Sequence, residues 1–450
     1  MDLHHLDLAG LAAGYRSGSF TPREVTLHYL DRIARLDPPL QAWVVVIADR
    51  ALDGADRAGA ELQAGKDRGP LHGIPYGLKD LIDVQGLPTL AGSASRKGHI
   101  AAASALVTQR LEAAGAVLLG KLHTVEFAFG GWGTNAHLGT PRNPWEMVEY
   151  RVPGGSSSGA GVAVAAGMTP FAIGTDTGGS VRLPASFCGV SGLKTTAGLV
   201  DTTGVVGMAP SFDTIGPLAR SAADLALILP VIADTPAAML RQKGLPVLAR
   251  LRPEDCGSGA ACPDPAVWVA YEVALTMMSE AGATIREFRL PRALADYIDQ
   301  SVVIEAEAYA SHGALAEDPD QPLDPNVRAR LLRGRVSAES YLQALWRLPA
   351  LRAEFMNALG EAEVLLTPTT PMTAPALAGN DEGTTPALLT RAVNFMGLCA
   401  IALPDGFDPK GLPTSLQMIA GPQQEVRLLD ISIWYQNLTN WHHRRPEFAS

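Results

Sequence analysis

Ser104-Ala105-Leu106-Val107-Thr108-Gln109-Arg110-Leu111-Glu112-Ala113-Ala114, then Gly115 and the apolar run Ala116-Val117-Leu118-Leu119-Gly120, decides the fold class. The first part carries a helical pattern, and the short apolar run behind it reads as a buried strand. From about Pro70 onward, runs of this kind alternate with helical patterns and are separated by glycine. That alternation predicts βα units, with a largely parallel sheet covered by helices on both faces.

The texture differs on either side. Residues 1–65 read as an N-terminal helical segment, whose clearest start is Thr21-Pro22-Arg23-Glu24, a capping box with proline at the first helical position. Leu27, Leu30, Ile33 and Leu36 then recur at helical spacing, and Asp37-Pro38-Pro39 is expected to stop the run. Another helix is expected from Ser221-Ala222-Ala223-Asp224 through Leu229. Residues 235–360 are richer in charge and helical periodicity, and Ser337 to Leu359 is the longest pattern, interrupted at Pro349. Strand texture returns at Val364-Leu365-Leu366-Thr367-Pro368 and at Leu412 to Met418. The expectation is therefore one large α/β domain over 1–450, built on a mixed, mostly parallel sheet. Residues 66–234 and 361–450 form its core, and 235–360 form a variable helical region on the substrate side.

Composition narrows the function class. With 47% hydrophobic and 18% charged residues, the chain can bury a large core and is no disordered protein. A formal charge of −10 argues against a nucleic-acid partner, because phosphate binding needs clustered Lys and Arg. The four cysteines, Cys188, Cys256, Cys262 and Cys399, form no CxxC pair and join no histidines at zinc-ligand spacing, so buried or inert thiols are expected and no metal or cofactor is implied. Met1 to Gly10 lacks the basic and apolar regions of a signal peptide, which suggests a cytoplasmic protein. Val152 to Thr175 carries no charge, but its six glycines, two prolines and three serines fit a buried strand and helix better than a membrane span.

Three features carry chemistry. Ser180 closes Thr177-Gly178-Gly179-Ser180, where two glycines free the backbone to aim N–H groups at one point, the arrangement that stabilises a tetrahedral oxyanion. Lys79 lies among mostly apolar neighbours in Ile74-Pro75-Tyr76-Gly77-Leu78-Lys79-Asp80-Leu81-Ile82. As a base it must be neutral, which burial can achieve at roughly 3 to 5 kcal/mol. Asp80 would oppose that shift if close, but successive strand residues face opposite ways. Between them stands Gly154-Gly155-Ser156-Ser157-Ser158-Gly159, followed by a small, apolar, helix-compatible stretch, so a serine held in this tract could pass a proton from Ser180 to Lys79.

The chain resembles the amidase signature hydrolases. The resemblance rests on Gly73-Ile74-Pro75 through Lys79-Asp80, Leu119-Gly120-Lys121, Glu126 to Gly130, Asn143-Pro144-Trp145, Gly154 to Ser157, Gly174 to Ser180, Arg182, Pro184-Ala185, Gly192-Leu193-Lys194, Asp213 to Pro217, Thr367-Pro368-Thr369 and Gly411 to Gln417. It spans nearly the whole chain, least so over 235–360. It implies Ser180 as nucleophile, Ser156 as a bridging serine on a cis peptide bond, Lys79 as ultimate base, and the backbone amides of Thr177, Gly178, Gly179 and Ser180 as the oxyanion hole. The chain departs from the family at Ser158, which stands in place of a glycine, and at Leu122-His123, which replaces Thr-Asn.

Amide hydrolysis through an acyl-enzyme, extending to anilides and carbamates, is the expected activity. The substrate is expected to be small, with a monomer or homodimer and no membrane partner. Phe129, Gly130, Gly131 and Trp132 are expected to border its pocket, with Met372, Phe395 and Met396 as further apolar walls, which favours an apolar or aryl substrate. Two rivals remain. The chain also resembles the amidase component of a tRNA-dependent amidotransferase, which needs a second chain. Gly155-Ser156-Ser157-Ser158-Gly159 also satisfies GxSxG, which would make Ser157 the nucleophile of an α/β-hydrolase. That fold needs a later histidine, and only His312, His442 and His443 lie downstream.

Overall fold

The computed structural model describes residues 2–235 and 244–449. Eleven strands form one sheet: β1 (Trp43–Val46), β2 (Pro75–Lys79), β3 (Val117–Leu122), β4 (Phe171–Asp176), β5 (Ser191–Lys194), β6 (Thr214–Ala219), β7 (Val247–Arg250), β8 (Thr284–Glu287), β9 (Val364–Pro368), β10 (Cys399–Phe407) and β11 (Pro413–Ala420). Their spatial order is β1-β3-β2-β4-β6-β5-β10-β11-β9-β7-β8. The single α/β body, large mixed sheet and flanking helices match expectation.

The direction of the strands does not. Parallel pairing is confined to β3-β2-β4 and β9-β7-β8, and the pairings between β4 and β9 are all antiparallel, as is β1 with β3. A parallel pair needs a crossover of a dozen or more residues, whereas β10 and β11 are joined by a short loop and must run antiparallel. Apolar runs predict strands but carry no sign of direction.

The 1–65 segment is helical over Leu8–Ser17, Pro22–Leu40 and Ala48–Gln63, yet it also supplies the edge strand β1. Likewise the 235–360 region is not wholly helical. It contributes β7 and β8 to the other edge, and its residues 236–243 lie outside the described residues.

The capping box at Thr21 is formed, Thr21 Oγ1 accepting from Glu24 N at 3.2 Å while Glu24 accepts from Thr21 N at 2.7 Å. The helix then runs through Pro38 and Pro39 to Leu40 and stops at Gln41, which takes the left-handed conformation. Its buried stripe is Val25, Tyr29, Ile33, Leu36 and Leu40, whereas Leu27 is exposed. Pro349 also fails to break its helix, which is continuous over Ala338–Leu359. Its buried residues Leu348, Leu351, Phe355 and Leu359 anchor both sides of the proline, and packing outweighs the one lost hydrogen bond.

Apolar cores lie on both faces of the sheet. One joins Val25, Leu225 and Leu428 of the helices to Leu78, Ile173 and Leu193 of the strands, and the other gathers Leu331, Phe355, Phe395 and Ala400. The charge-free stretch 152–175 becomes the short helix Ser158–Ala165, buried throughout, and strand β4. Among the described residues, no helix is long and apolar enough to cross a membrane.

Candidate active site

Strand β2 ends at Lys79 and its parallel neighbour β4 at Asp176, in a register that sets Leu78 against Ile173. Parallel strands deliver their carboxyl ends to one edge of the sheet, where open α/β sheets hold ligands. Lys79 is completely buried there, and its Nζ donates to Ser156 Oγ and to Thr175 Oγ1, both at 2.8 Å. Burial pulls this amine from the ordinary lysine value down to about 7, against the opposing charges of Asp176 and Asp213. Asp80 faces away, as its position after Lys79 predicts, and forms a buried ion pair with Lys121 at 2.9 Å.

Ser156 follows a cis peptide bond, Gly155–Ser156. Its carbonyl accepts from Val125 N at 3.2 Å and from Thr124 Oγ1 at 3.0 Å, fixing the turn that aims its hydroxyl at Lys79. Ser180 sits just before the helix Arg182–Cys188, and it is the one member of the predicted trio that lines the main cavity. Its hydroxyl makes no hydrogen bond among the described residues, so the relay is joined from Lys79 to Ser156 but not from Ser156 to Ser180.

The loop bearing Ser180 is held by a buried ionic core. Arg182 grips Asp176 with two bonds of 3.0 Å, and it also reaches the Thr390 carbonyl at 3.0 Å, Gln417 Oε1 at 2.7 Å and Asn394 Oδ1 at 2.6 Å. Burial alone would push the Asp176 carboxyl up, but Arg182, Lys194 and Asn394 hold it well below the usual carboxylate range. Its oxygens accept from Gly179 N at 2.8 Å and from Val181 N at 3.2 Å. Of the four amides expected to donate to an oxyanion, one is engaged elsewhere. Gly179 N–H is already given to Asp176, whereas the amides of Thr177, Gly178 and Ser180 donate to no protein acceptor among the described residues. Gly179 itself must be glycine: its φ is +133°, and a Cβ would lie 2.3 Å from Thr390 Oγ1.

A cavity of about 440 Å³ opens on Ser180 and Gly178. Phe129, Gly130 and Gly131 line it as expected, but Trp132 does not reach it. Trp132 stacks on Phe187 beside Val152 and Ala374, with its Nε1 donating to the Thr384 carbonyl at 3.2 Å. Met372 packs in that same cluster, and Phe395 and Met396 belong to the core, Phe395 edge-on to Phe212. The wall comes instead from Leu183, Met208 and Ile304, with Arg330, Arg333 and Arg391.

The rival residues are spoken for. Ser157 is fully buried and its Oγ donates to the Thr175 carbonyl at 3.3 Å, leaving it out of the cavity. His123 contacts the Leu138 carbonyl through Nε2 at 3.2 Å, a structural role. Of the thiols, Cys188, Cys256 and Cys399 are buried and Cys262 is exposed. Sequence reasoning missed Thr175 as a second partner of Lys79, and Thr390, Arg391 and Asn394 altogether. The signal for the last three was polar side chains inside the otherwise apolar run from Ala387 to Cys399.

Comparison with known proteins identifies the family. Across its whole length the chain is 36% identical to a glutamyl-tRNA(Gln) amidotransferase subunit from Acinetobacter baumannii, covering 99% of that protein. It is 37% identical to the 2-amino-5-chloromuconic acid deaminase of Comamonas testosteroni, over 98% of both chains. The native peptide amidase of Stenotrophomonas maltophilia superposes with a TM-score of 0.83 at 30% identity, over 99% of each chain. With the Amidase family model also matching residues 24–429, this chain belongs to the amidase family of hydrolases acting on C–N bonds.

Proposed function

We propose that the chain hydrolyses the acyl C–N bond of a small amide, anilides and carbamates included, through an acyl-enzyme on Ser180. The observation that carries this reading is the fully buried Lys79 Nζ, 2.8 Å from Ser156 Oγ, beside the loop that presents Ser180 to the cavity.

An amine whose pKa falls to about 7 is substantially neutral at physiological pH and has a lone pair to accept a proton. Lys79 takes the proton of Ser156 as Ser156 takes that of Ser180, and Ser180 Oγ bonds to the carbonyl carbon. The carbonyl electrons move onto oxygen, where the open amides of Thr177, Gly178 and Ser180 donate to it. Ser156 then returns a proton to the departing nitrogen as the C–N bond breaks, since an amide anion is too poor a leaving group. Water repeats the sequence on the ester and frees the acid. The reading requires the Ser180 hydroxyl to turn onto Ser156 during the reaction, and catalytic hydrogen bonds commonly tighten only with substrate in place.

The cavity volume suits a small molecule, and Phe129, Leu183, Met208 and Ile304 support an apolar or aryl portion. The net charge of −10 supports action without a nucleic-acid surface, and we infer a cytoplasmic monomer or homodimer. A panel of chromogenic anilides, carbamates and esters tests the activity, with intact mass measured after quenching. Wild type gains the mass of the acyl group and Ser180→Ala neither gains it nor turns over; turnover retained in Ser180→Ala overturns the assignment.

The whole-length similarity to a component of an amidotransferase favours one second reading, in which the chain works with a partner. Size exclusion of the purified chain with an amide assay separates the two, since a lone chain that hydrolyses the panel needs no partner.

A further inference from the structure

The cavity wall carries five charged side chains: Asp299, Glu305, Arg330, Arg333 and Arg391. Four of them are matched. Arg330 meets Glu382 at 3.3 Å and donates to the Phe129 carbonyl at 2.7 Å. Arg333 meets Glu305 at 3.1 Å. Asp299 meets Arg292 at 3.3 Å and accepts from Gln300 at 2.9 Å. Arg391 differs: among the described residues no carboxylate lies within ion-pair distance of it. Among the described residues its guanidinium makes only two hydrogen bonds, both long, to Ser301 Oγ at 3.4 Å and Thr385 Oγ1 at 3.3 Å.

A guanidinium has five donors in a planar fork. Two weak bonds to neutral hydroxyls leave most of them unused on a side chain that is only partly buried in the cavity wall. Burial lowers the Arg391 pKa to about 10, with Glu305 opposing, so the side chain stays charged near neutrality. Its position ties it to the chemistry. Arg391 opens the short helix Arg391–Phe395, whose Asn394 donates to Asp176 at 2.9 Å and so braces the nucleophile loop. The stem of Arg391 lies against that loop, since a Cβ on Gly178 would be 3.3 Å from Arg391 Cγ.

We propose that Arg391 receives a carboxylate borne by the substrate, so that the compound hydrolysed carries an anionic carboxyl group in addition to its scissile amide. This inference rests on the amide-hydrolase reading for the identity of the bond, and on the cavity alone for the anion. The planar fork matches a carboxylate with two parallel bonds, which a lysine could not do. It also refines the substrate: an apolar body between two polar ends, rather than an apolar molecule throughout.

The test uses binding and turnover separately. Ser180→Ala protein is titrated calorimetrically with succinamate, glutaramate, adipamate and 4-carbamoylbenzoate, and with the neutral butanamide, pentanamide, hexanamide and benzamide. At least one acid is expected to bind about tenfold or more tighter than its neutral counterpart, and Arg391→Gln in the same background to erase the difference. Arg391→Gln removes an unpaired, partly buried charge and is checked for folding by thermal melt, with Arg391→Lys as a second variant that keeps the charge and loses the fork. If no acid binds tighter than its neutral partner, or if Arg391→Gln and Arg391→Lys both leave the preference intact, the inference is overturned. Ammonia release by protein with Ser180 intact is then measured on both series. Ser180-dependent release from neutral amides without an acid preference removes the inference and keeps the hydrolase. Arg391-dependent acid binding with no Ser180-dependent release from either series keeps the carboxylate site and removes the hydrolase reading.

Discussion

Lys79 Nζ and Ser156 Oγ, 77 positions apart in the chain, meet at 2.8 Å in a site from which water is excluded on the lysine side. The pairing ties the protonation state of a lysine to the acidity of a hydroxyl. Since the base form is the neutral amine, kcat/KM should fall about tenfold per pH unit below a midpoint near 7. A pH–rate profile flat from pH 8 to pH 5 would sink the lysine as base.

The same shift predicts a stability effect of opposite sense. Lys79 binds a proton less tightly when folded, so its burial penalty is fully present below about pH 7 and fades as pH rises toward the unfolded lysine value. Lys79→Met should therefore be inactive yet more stable at pH 6, by up to about 3 kcal/mol once the lost bonds to Ser156 and Thr175 are allowed for. Urea unfolding at pH 6 and pH 9 checks it: the gain must shrink at the higher pH.

On the proposed mechanism Ser156→Ala removes the relay and spares the nucleophile. The expected loss is about 10²–10⁴ in kcat, with substrate binding to the folded variant little changed. Single-turnover kinetics on an activated ester and on an amide separate its two roles. The amide should suffer more, because its leaving group needs the returned proton.

Asp176 and Arg182 are both fully buried, so breaking the pair from one side leaves an unmatched charge. Asp176→Asn should cost about 3–5 kcal/mol of stability, and adding Arg182→Met should recover part of it. A double variant less stable than the additive sum of the two singles would contradict this account.

Gly179→Ala tests the loop geometry. A φ of +133° and a Cβ 2.3 Å from Thr390 Oγ1 predict lower kcat and a loss of about 1–3 kcal/mol. Thr390→Ala in the same chain should restore some of the loss, because the clash goes while the backbone strain remains. Gly179→Ala with wild-type kcat would show that the loop tolerates displacement.

What the sequence disclosed follows chain distance and burial. Lys79, Ser156 and Ser180 fall inside short stretches whose glycines and apolar flanks announce tight backbone and buried polar groups, so they stood out as candidates. Strand direction was not legible, since Leu118 in a parallel pair and Ile401 in an antiparallel one show the same apolar environment. Nor were the partners of Arg391 and Asn394: polar side chains in an apolar run mark the two residues, but each meets a loop more than 200 residues earlier, which no local pattern identifies. Trp132 misled because a buried aromatic reads alike whether it faces a cavity or, as here, Phe187. The continuity of the helix over Ala338–Leu359 past Pro349 depended on partners that no local window contains.

On the proposed mechanism bond cleavage draws on residues between 79 and 180, whereas much of the cavity wall comes from 298–305, 330–333 and 383–391. Heredity can therefore act on the two parts independently: drift in the later segments redirects which compound is accepted, while the inherited cutting apparatus passes on intact. A recombinant carrying the later segments of a relative would, on this division, exchange appetite and keep its chemistry.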